Sequence, residues 1–369
     1  MHKDKDSTGA AVPAVDVVIA VHSSTRPVAR ALASVAAAGL ELNGPDGVRA
    51  TVVCHNISRD EISRNIPPEL ASATRFLELR DGIPSPAGPF NYGLEQADAE
   101  FVCILGSDDS LEPGALRQWL ELARTHSSAM VIAPQRHAGG APVRTPPVRV
   151  RRQFKLDPVK DRLSYRTAPL GLLRRSEIRR LGLEFSADLR TGEDQIFSAK
   201  LWFGGGRIDY ARGAGKYVVG DDARDRVTGQ RRDIGELFAF ALELVADPWF
   251  VALPLAHRRA LVTKLLRVHV FGVVLPRGEQ GGWTDPDRAE FARVTRTLLA
   301  AAPGADRPLS LADARLLRHI LTPGPLAEML AAAAARRRFG RPQTMIASGL
   351  TAQFDPEAPV RFMAASALL

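Results

Sequence analysis

The first 135 residues alternate between short apolar runs and helical patterns, and this alternation limits the folds open to the chain. Residues 15–21, 50–54, 75–79 and 101–105 are β-branched or apolar runs bounded by polar residues, as is typical of buried strands. The residues between them carry apolar side chains at helical spacing. Strands and helices alternating at this spacing predict βαβ units and a mainly parallel sheet.

From about residue 233 onward the patterns are long and helical, which predicts a different architecture for the C-terminal part. We therefore expect a flexible N-terminus at 1–14, an α/β domain at 15–232 and an all-helical domain at 233–369. No apolar run approaches the roughly 20 residues that cross a bilayer. The N-terminus lacks the apolar core of a secretory signal, and both cysteines sit in strand-like runs. These features predict a cytoplasmic protein.

Two pairs of neighbouring acidic residues are candidates for chemistry. Asp108 and Asp109 follow an apolar strand, where open α/β sheets bind ligands, and two such carboxylates suit a divalent cation that also bridges a diphosphate. Glu193 and Asp194 precede a helical pattern and could supply a general base. Both pairs also fit a simpler role in capping the helix that follows.

The order of these pieces resembles the family 2 glycosyltransferases of the GT-A fold. The resemblance is carried by an opening strand, the helix after it, an Asn-x-Gly-Leu element, a strand ending in an Asp-x-Asp-like motif and a Gly-Glu-Asp element. These are residues 17–23, 30–35, 91–94, 99–109 and 192–197. The resemblance implies a Rossmann-like GT-A catalytic domain with a mainly parallel sheet, followed by the helical domain.

The resemblance also implies an inverting, metal-dependent hexosyltransferase that uses a nucleoside-diphosphate sugar, above all a UDP-sugar. Asp194 matches the expected base, and Glu193 would orient the base or the acceptor. Mn²⁺ or Mg²⁺ would be held by Asp108, with Asp109 and Asp221 as further metal candidates. The nucleotide-sugar would contact His22, Ser23, Thr25, His55, Asn56, Arg80, Asn91, Ser107, Asp108, Arg224 and Arg226.

This chain departs from the family pattern at several of these positions. Gly106 stands where the first Asp of the metal motif is usual. The second strand ends in Cys54-His55-Asn56 rather than in an Asp that reads the base, so His55 or Asn56 would take that role. Asp221 stands where many relatives have a metal-binding His, and Arg224 and Arg226 follow as phosphate contacts.

The implied acceptor is a hydroxyl of a cell-envelope polysaccharide, a teichoic-acid-like polymer or a lipid-linked precursor. Two alternatives stay open: a catalytically degenerate GT-A scaffold or binding protein, and a sugar nucleotidyltransferase. A homo-oligomer is a further option, and no nucleic-acid partner is expected, since Arg336–Arg338 fits a solvated helix end.

The formal net charge of +8 favours an anionic partner, unless it reflects only an arginine-rich composition. Basic residues of the helical part, among them Lys264 and Arg267, could form a surface that holds an anionic polymer or lies against the inner face of the cell membrane. The histidines of the same region, including His269, have no partner that the sequence reveals.

Overall fold

The structure is a computed structural model, and it describes residues 12–220, 232–322, 324–349 and 351–368. Most of the predicted flexible N-terminus therefore lies outside the described residues. The chain forms two compact units. The first, which we call the sheet unit, comprises described residues 12–143, 169–185 and 206–220. The second, the helical unit, comprises 144–168, 186–205 and the described residues from 232 onward.

The expected mainly parallel sheet is confirmed. Within the described residues, seven strands pair in the order β10-β6-β9-β4-β1-β2-β3. Strand β1 pairs in parallel with β2 on one side and with β4 on the other, and β2 pairs in parallel with β3. The strands are Val15–Val21 (β1), Val48–His55 (β2), Arg75–Leu79 (β3), Phe101–Gly106 (β4), Ser110–Leu111 (β5), Met130–Ile132 (β6), Gln135–His137 (β7), Pro142–Val143 (β8), Gly171–Arg174 (β9), Ile208–Tyr210 (β10) and Tyr217–Val219 (β11).

Strand β9 is one of the elements of this sheet that the sequence patterns do not predict. It runs antiparallel between β4 and β6 and reaches this position from far along the chain. Strands β5, β11, β7 and β8 form a second, smaller sheet of the same unit. Because β5 follows β4 within four residues, this small sheet starts at the carboxyl end of β4.

Amphipathic helices cover the large sheet. In α1, the side chains of Val28, Leu32 and Val35 lie on one face and are buried in the same core as β1 and β2. Helix α4 carries Pro89 in its first turn, where a backbone amide has no intrahelical partner. The helices of the sheet unit are Val28–Ala36 (α1), Arg59–Ser63 (α2), Pro68–Ala73 (α3), Ala87–Gln96 (α4), Ala115–His126 (α5) and Arg175–Leu181 (α6).

The helical unit confirms the expected helical C-terminal region. Two of its helices begin with complete capping boxes, at Thr284 and at Ser310, which satisfy the first free amides of α13 and α14. Its helices are Gln195–Phe203 (α7), Ile234–Leu237 (α8), Ala239–Ala246 (α9), Pro248–Ala252 (α10), Leu255–Lys264 (α11), Phe271–Glu279 (α12), Asp285–Ala301 (α13), Leu311–Leu321 (α14), Leu326–Arg336 (α15), Pro342–Met345 (α16) and Pro359–Ala367 (α17).

A π-helical turn, Leu265–Val270, joins α11 to α12. Such turns are rare and occur frequently at functional sites. Among the described residues, none of the helices is both long enough and apolar enough to cross a membrane.

Candidate functional site

The carboxyl ends of β1, β2 and β4 meet at one edge of the sheet. Val21 of β1 lies opposite Cys54 of β2, and Ala20 lies opposite Gly106 of β4. The polar residues that follow these strands are therefore neighbours, as the sequence predicts. After β1, the Ser23 and Thr25 hydroxyls lie 2.8 Å apart, and His22 is exposed.

His55, Asn56 and Asp81 form one hydrogen-bonded cluster at this edge. His55 Nε2 lies 2.8 Å from Asp81 Oδ1, and the Asn56 side-chain amide lies 3.1 Å from His55 Nε2. Asn56 has a left-handed backbone, with φ at 56°, and its Oδ1 accepts a hydrogen bond from the Gly82 amide. Burial raises the pKa of Asp81, but the Ile83 amide, His55 and Asn56 together hold it below its usual value.

Asp81 is a functional candidate that the sequence patterns do not single out. The nearest signal is its position two residues after β3, where it opens a Gly- and Pro-rich loop. Because Asp81 contacts both His55 and Asn56, a carboxylate is present at this edge although β2 itself lacks the usual Asp.

The other two predicted residues near this edge have different surroundings. Arg80 is exposed, and its guanidinium lies 3.7 Å from the Glu78 carboxylate. The Asn91 side chain forms two hydrogen bonds with the backbone of Phe185, each of 2.8 Å, and so joins α4 to residues 183–185. Arg80 can therefore turn toward a ligand, whereas the Asn91 amide is engaged within the protein.

Asp108 lies in the turn after β4 with a guanidinium beside it. Its Oδ2 is 3.3 Å from Arg26 Nη1, and its backbone carbonyl accepts a hydrogen bond from Arg30. The neighbouring Ser107 is buried. Arg26 thus balances the Asp108 charge at the sheet edge, and its guanidinium lies where it could equally well bind an anion.

Asp109 differs from Asp108 because both of its oxygens bind the protein. Tyr217 donates its hydroxyl to Oδ2 at 2.5 Å, and the Gly220 amide donates to Oδ1 at 2.8 Å. The Tyr217 hydroxyl in turn accepts from the Gly106 amide at 3.0 Å. Burial and the Asp109 charge raise the pKa of Tyr217, so this hydroxyl stays protonated and acts as the donor. Asp109 therefore links the β4 turn to the end of β11.

These contacts decide how well the turn fits a divalent cation. Asp108 can offer a carboxylate oxygen by exchanging Arg26 for the ion, whereas Asp109 would have to break bonds to Tyr217 or Gly220. Asp221, Arg224 and Arg226 lie outside the described residues. Where the structure describes the chain, no group of three or more His, Cys, Asp or Glu side chains is arranged to hold a metal ion.

The second acidic pair lies at the start of α7 in the helical unit. Asp194 is the N-cap residue, yet its side chain makes no capping hydrogen bond to the helix backbone. Gly192 has φ at 74°, and a Cβ at this position would lie 2.7 Å from the Phe240 ring, so this turn requires glycine. The capping interpretation therefore fails for the side chain of Asp194, which is left available for other contacts.

The surroundings of Asp194 shift the pKa of its carboxyl group. Burial and the adjacent Glu193 charge raise the pKa of Asp194 to about 6, against the lowering effects of Lys264 and Gln195. A carboxylate with this pKa is ionised at neutral pH and more basic than an exposed one. Glu193 and Asp194 line a cavity of about 390 Å³, whose other walls come from α8, α9, α12 and the π-helical turn.

Two basic residues of the helical unit do not lie where the sequence suggests. Lys264 is only 3% exposed, and the Arg267 side chain is buried against Glu357, 2.8 Å away. The expectation that they belong to a basic surface is therefore wrong. His269 is not without a partner either, since its Nε2 lies 3.0 Å from Lys264 Nζ. A single charged residue within an apolar helical pattern can be either part of a buried pair or exposed to solvent, and the sequence pattern is the same in both cases.

Comparison with known proteins agrees with this geometry. Residues 16–182 match the sequence model of Glycosyl transferase family 2. The poly(ribitol-phosphate) β-N-acetylglucosaminyltransferase TarP of Staphylococcus aureus is 25% identical over 138 residues, which are 37% of this chain and 42% of TarP. The corresponding TarS enzyme is 26% identical over 137 residues, 36% of this chain and 22% of TarS. The match thus spans less than half the length of either relative.

The fold likeness extends much further than the sequence match. The crystal structure of residues 1–349 of S. aureus TarS in complex with UDP-GlcNAc has a TM-score of 0.70 at 16% identity, covering 89% of this chain and 92% of that one. The longer TarS structure gives 0.64 at 17% identity, covering 89% of this chain and 56% of that one. Residues 16–182 thus carry the sequence signature of Glycosyl transferase family 2, and the chain has the GT-A fold of the TarS structure.

Proposed function

We propose that the protein is an inverting glycosyltransferase that moves N-acetylglucosamine from UDP-GlcNAc to a hydroxyl of a teichoic-acid-like polyol-phosphate polymer. The donor is suggested by the UDP-GlcNAc bound to the TarS structure, and the acceptor by the poly(ribitol-phosphate) in the names of TarP and TarS. A chain with a formal charge of +8 is suited to a polyanionic acceptor.

The main support for the proposed reaction is the environment of Asp194, the proposed base. In an inverting transfer, a base removes the proton of the acceptor hydroxyl while the oxygen attacks the anomeric carbon opposite the leaving diphosphate. A carboxylate with a pKa near 6, without a capping bond and open to a cavity, supports this role. The O–H bond breaks toward Asp194, the new C–O bond forms, and the bond to UDP breaks with its electrons remaining on the diphosphate.

For the donor, the proposal assigns the base-reading contacts to His55, Asn56 and Asp81. Asp81 is ionised and can accept from the imide N–H of a uracil, while Asn56 and His55 hold its carboxylate in place. Ser23 and Thr25 offer hydroxyls at the neighbouring strand end. Arg26 and Arg30 supply positive charge for the diphosphate at the end of β1 and the start of α1.

The proposal keeps the metal expectation and assigns it to Asp108. Mn²⁺ or Mg²⁺ bound there would neutralise charge that develops on the departing diphosphate. Asp108 would hold the ion in place of its contact with Arg26, and the Arg26 guanidinium would then bind a phosphate oxygen. Asp109 would keep its bonds to Tyr217 and Gly220 and hold the turn in shape.

The experiment is a donor and acceptor screen with product analysis. Purified protein is incubated with UDP-GlcNAc, UDP-glucose or GDP-mannose and with poly(ribitol phosphate), poly(glycerol phosphate) or no acceptor, in Mn²⁺, Mg²⁺ or EDTA. The proposal expects polymer-linked GlcNAc from UDP-GlcNAc, and a β linkage by NMR, since the donor is the α anomer. Binding of UDP without any transfer would instead favour the degenerate scaffold. An α-linked product would refute inversion.

A further inference from the structure

Lys264 is a buried cation whose side chain has no direct carboxylate partner among the described contacts. It is the last residue of α11 and is 3% exposed. Its ammonium group donates to Gln195 Oε1 at 2.5 Å and lies 3.0 Å from His269 Nε2. Burying a charge is costly unless hydrogen bonds and an opposite charge offset the lost hydration. Burial lowers the pKa of Lys264 to about 7, and the Asp194 charge opposes this lowering. The group is therefore an ammonium in the pH range around 6 where Asp194 titrates.

Gln195 connects these two charges. Its Nε2 donates to Asp194 Oδ1 at 3.1 Å, while its Oε1 accepts from Lys264. An amide has one donor end and one acceptor end, so an ammonium at Oε1 forces the donor end toward the carboxylate. The hydrogen bonds from Lys264 through Gln195 to Asp194 therefore have one consistent direction, in which the Asp194 oxygen is the acceptor.

The π-helical turn brings His269 to the other side of the ammonium. Lys264 and His269 are five residues apart, which is the spacing of hydrogen bonds in a π-helix, whereas residues five apart diverge on an α-helix. Burial and the Lys264 charge lower the pKa of His269 to about 3, so the ring is neutral and its Nε2 accepts from the ammonium. The His269 ring itself packs edge-on against Phe240, with centroids 4.8 Å apart.

Few other charges face this group of residues. Glu193 lies beside Asp194 and opposes its ionisation. Arg166 lines the small cavity that Lys264 and Gln195 also line, and its guanidinium contacts the Thr145 carbonyl. Helix α9 presents Phe240 to the Asp194 cavity, while its Glu243 interacts with Asp188. Helix α8 contributes Leu237 and α12 contributes Val273. Among the described residues, Lys264 is thus the cation whose charge acts on Asp194.

We propose that Lys264, acting through Gln195, is a positioning residue that keeps the Asp194 carboxylate ionised and oriented as the acceptor of a proton. This inference rests on the role of Asp194 in the proposed function. Lys264 does not exchange its proton during the reaction. The proton of the acceptor hydroxyl passes to Asp194, and the ammonium stabilises the carboxylate before that transfer takes place.

The direct test is the pKa of Asp194, measured without substrate. Protein labelled with ¹³C at the aspartate side chain is titrated by NMR, and the Asp194 signal is identified by its loss in Asp194→Asn. Lys264→Met should raise the pKa of Asp194 by about one pH unit, the lower end of what a nearby opposite charge contributes. Lys264→Arg should leave it near the wild-type value. Lys200→Met is the matched control, since Lys200 lies on α7 but its ammonium binds Asp247 at 2.9 Å.

If Lys264→Met does not fold, Gln195→Met carries the same test, because it removes the donor to Asp194 and leaves the ammonium in the chain. An unchanged Asp194 pKa in the folded variant overturns the proposal, whatever the activity. Since this titration needs no substrate, it separates the role of Lys264 from the identity of the donor and acceptor.

Transfer kinetics give a second readout. In Lys264→Met, the acidic limb of kcat/KM should move to higher pH by the same amount as the Asp194 pKa. The loss of activity should be confined to pH values below that limb. A loss of equal size at every pH would show a merely structural role for Lys264 and refute the proposal.

Discussion

The Asp109 carboxylate lies against Gly106, in the space that a side chain on residue 106 would need. A Cβ on residue 106 would lie 2.4 Å from Asp109 Oδ2, the oxygen that Tyr217 binds. The position where the family usually has its first Asp is therefore filled here by the carboxylate of a residue three further along the turn. The absence of an acidic side chain at residue 106 therefore makes room for the Asp109 carboxylate and its bond to Tyr217.

Restoring an aspartate at this position should therefore harm the protein. Gly106→Asp and Gly106→Ala both place a Cβ against Asp109, and overpacking of this kind costs about 1–3 kcal/mol. Urea unfolding should show this loss for both variants. Gly139→Ala is the control, because a Cβ there meets nothing within 4 Å. Equal stability of the Gly106 and Gly139 variants would contradict the packing argument.

Tyr217 and Asp109 should be energetically coupled. Tyr217→Phe removes the hydroxyl that binds the half-buried Asp109 Oδ2 and the Gly106 amide, which costs about 1–3 kcal/mol. Asp109→Asn weakens the same bond, so the double variant should lose less than the sum of the two single losses. A double-mutant cycle by urea unfolding measures the difference, and strict additivity would show that the bond does not contribute.

Of the two neighbouring carboxylates, Asp108 should govern metal-dependent binding. Asp108→Asn should weaken the affinity for UDP in Mn²⁺ by at least about 10-fold. Even the loss of a residue that only orients a metal ligand lowers metal affinity by about this factor. Asp109→Asn should have a smaller effect on this affinity, because Asp109 binds Tyr217 and Gly220. Calorimetry with UDP in Mn²⁺ and in EDTA measures both. The assignment fails if Asp109→Asn removes the Mn²⁺ dependence and Asp108→Asn keeps it.

Asp194 should reduce the stability of the protein at neutral pH. Its folded pKa of about 6 lies above the ordinary aspartate value, so the folded state binds the proton more tightly than the unfolded state. The contribution of Asp194 to the free energy of unfolding is therefore fully present below about pH 4, and it is lost as the pH rises through about 6. Asp194→Asn should be more stable than wild type at pH 8 by about 1–3 kcal/mol, and should show no such advantage at pH 4. Urea unfolding at the two pH values decides this.

The sequence predicts the frame of the sheet unit well, because its strands are buried on both faces and read as continuous apolar runs. Residues 15–21 and 75–79 are β1 and β3 as predicted. The short strand β9 escapes prediction, since its pairing with β4 and β6 depends on residues far away in the chain. The division into compact units also depends on such contacts, which group residues 144–168 and 186–205 with the C-terminal helices.

The residues of the candidate site likewise fall into those that the sequence identifies and those that only the structure reveals. Position after a strand or before a helix is enough to select Asp108 and Asp194, whereas His55 is selected through the family resemblance. The partners of these residues have no such signal. Asp81 is not among the residues that the sequence singles out, and the sequence suggests a surface position for Lys264, which is buried. A charged residue in an apolar helix reads alike whether it faces solvent or a buried amide such as that of Gln195. Hydrogen-bond partners of this kind follow from tertiary packing rather than from sequence spacing.

The proposed role of Asp194 as the base in glycosyl transfer can be tested by comparing three proteins. Transfer of GlcNAc from UDP-GlcNAc to poly(ribitol phosphate) is followed at pH 7.5 for wild type, Asp194→Asn and Asp188→Asn. Asp188 is an exposed aspartate of the same segment and serves as the matched control. We expect Asp194→Asn to be slower by at least about 100-fold with unchanged affinity for UDP-GlcNAc, and Asp188→Asn to transfer at the wild-type rate. Transfer by Asp194→Asn at the rate of wild type would contradict the proposed role.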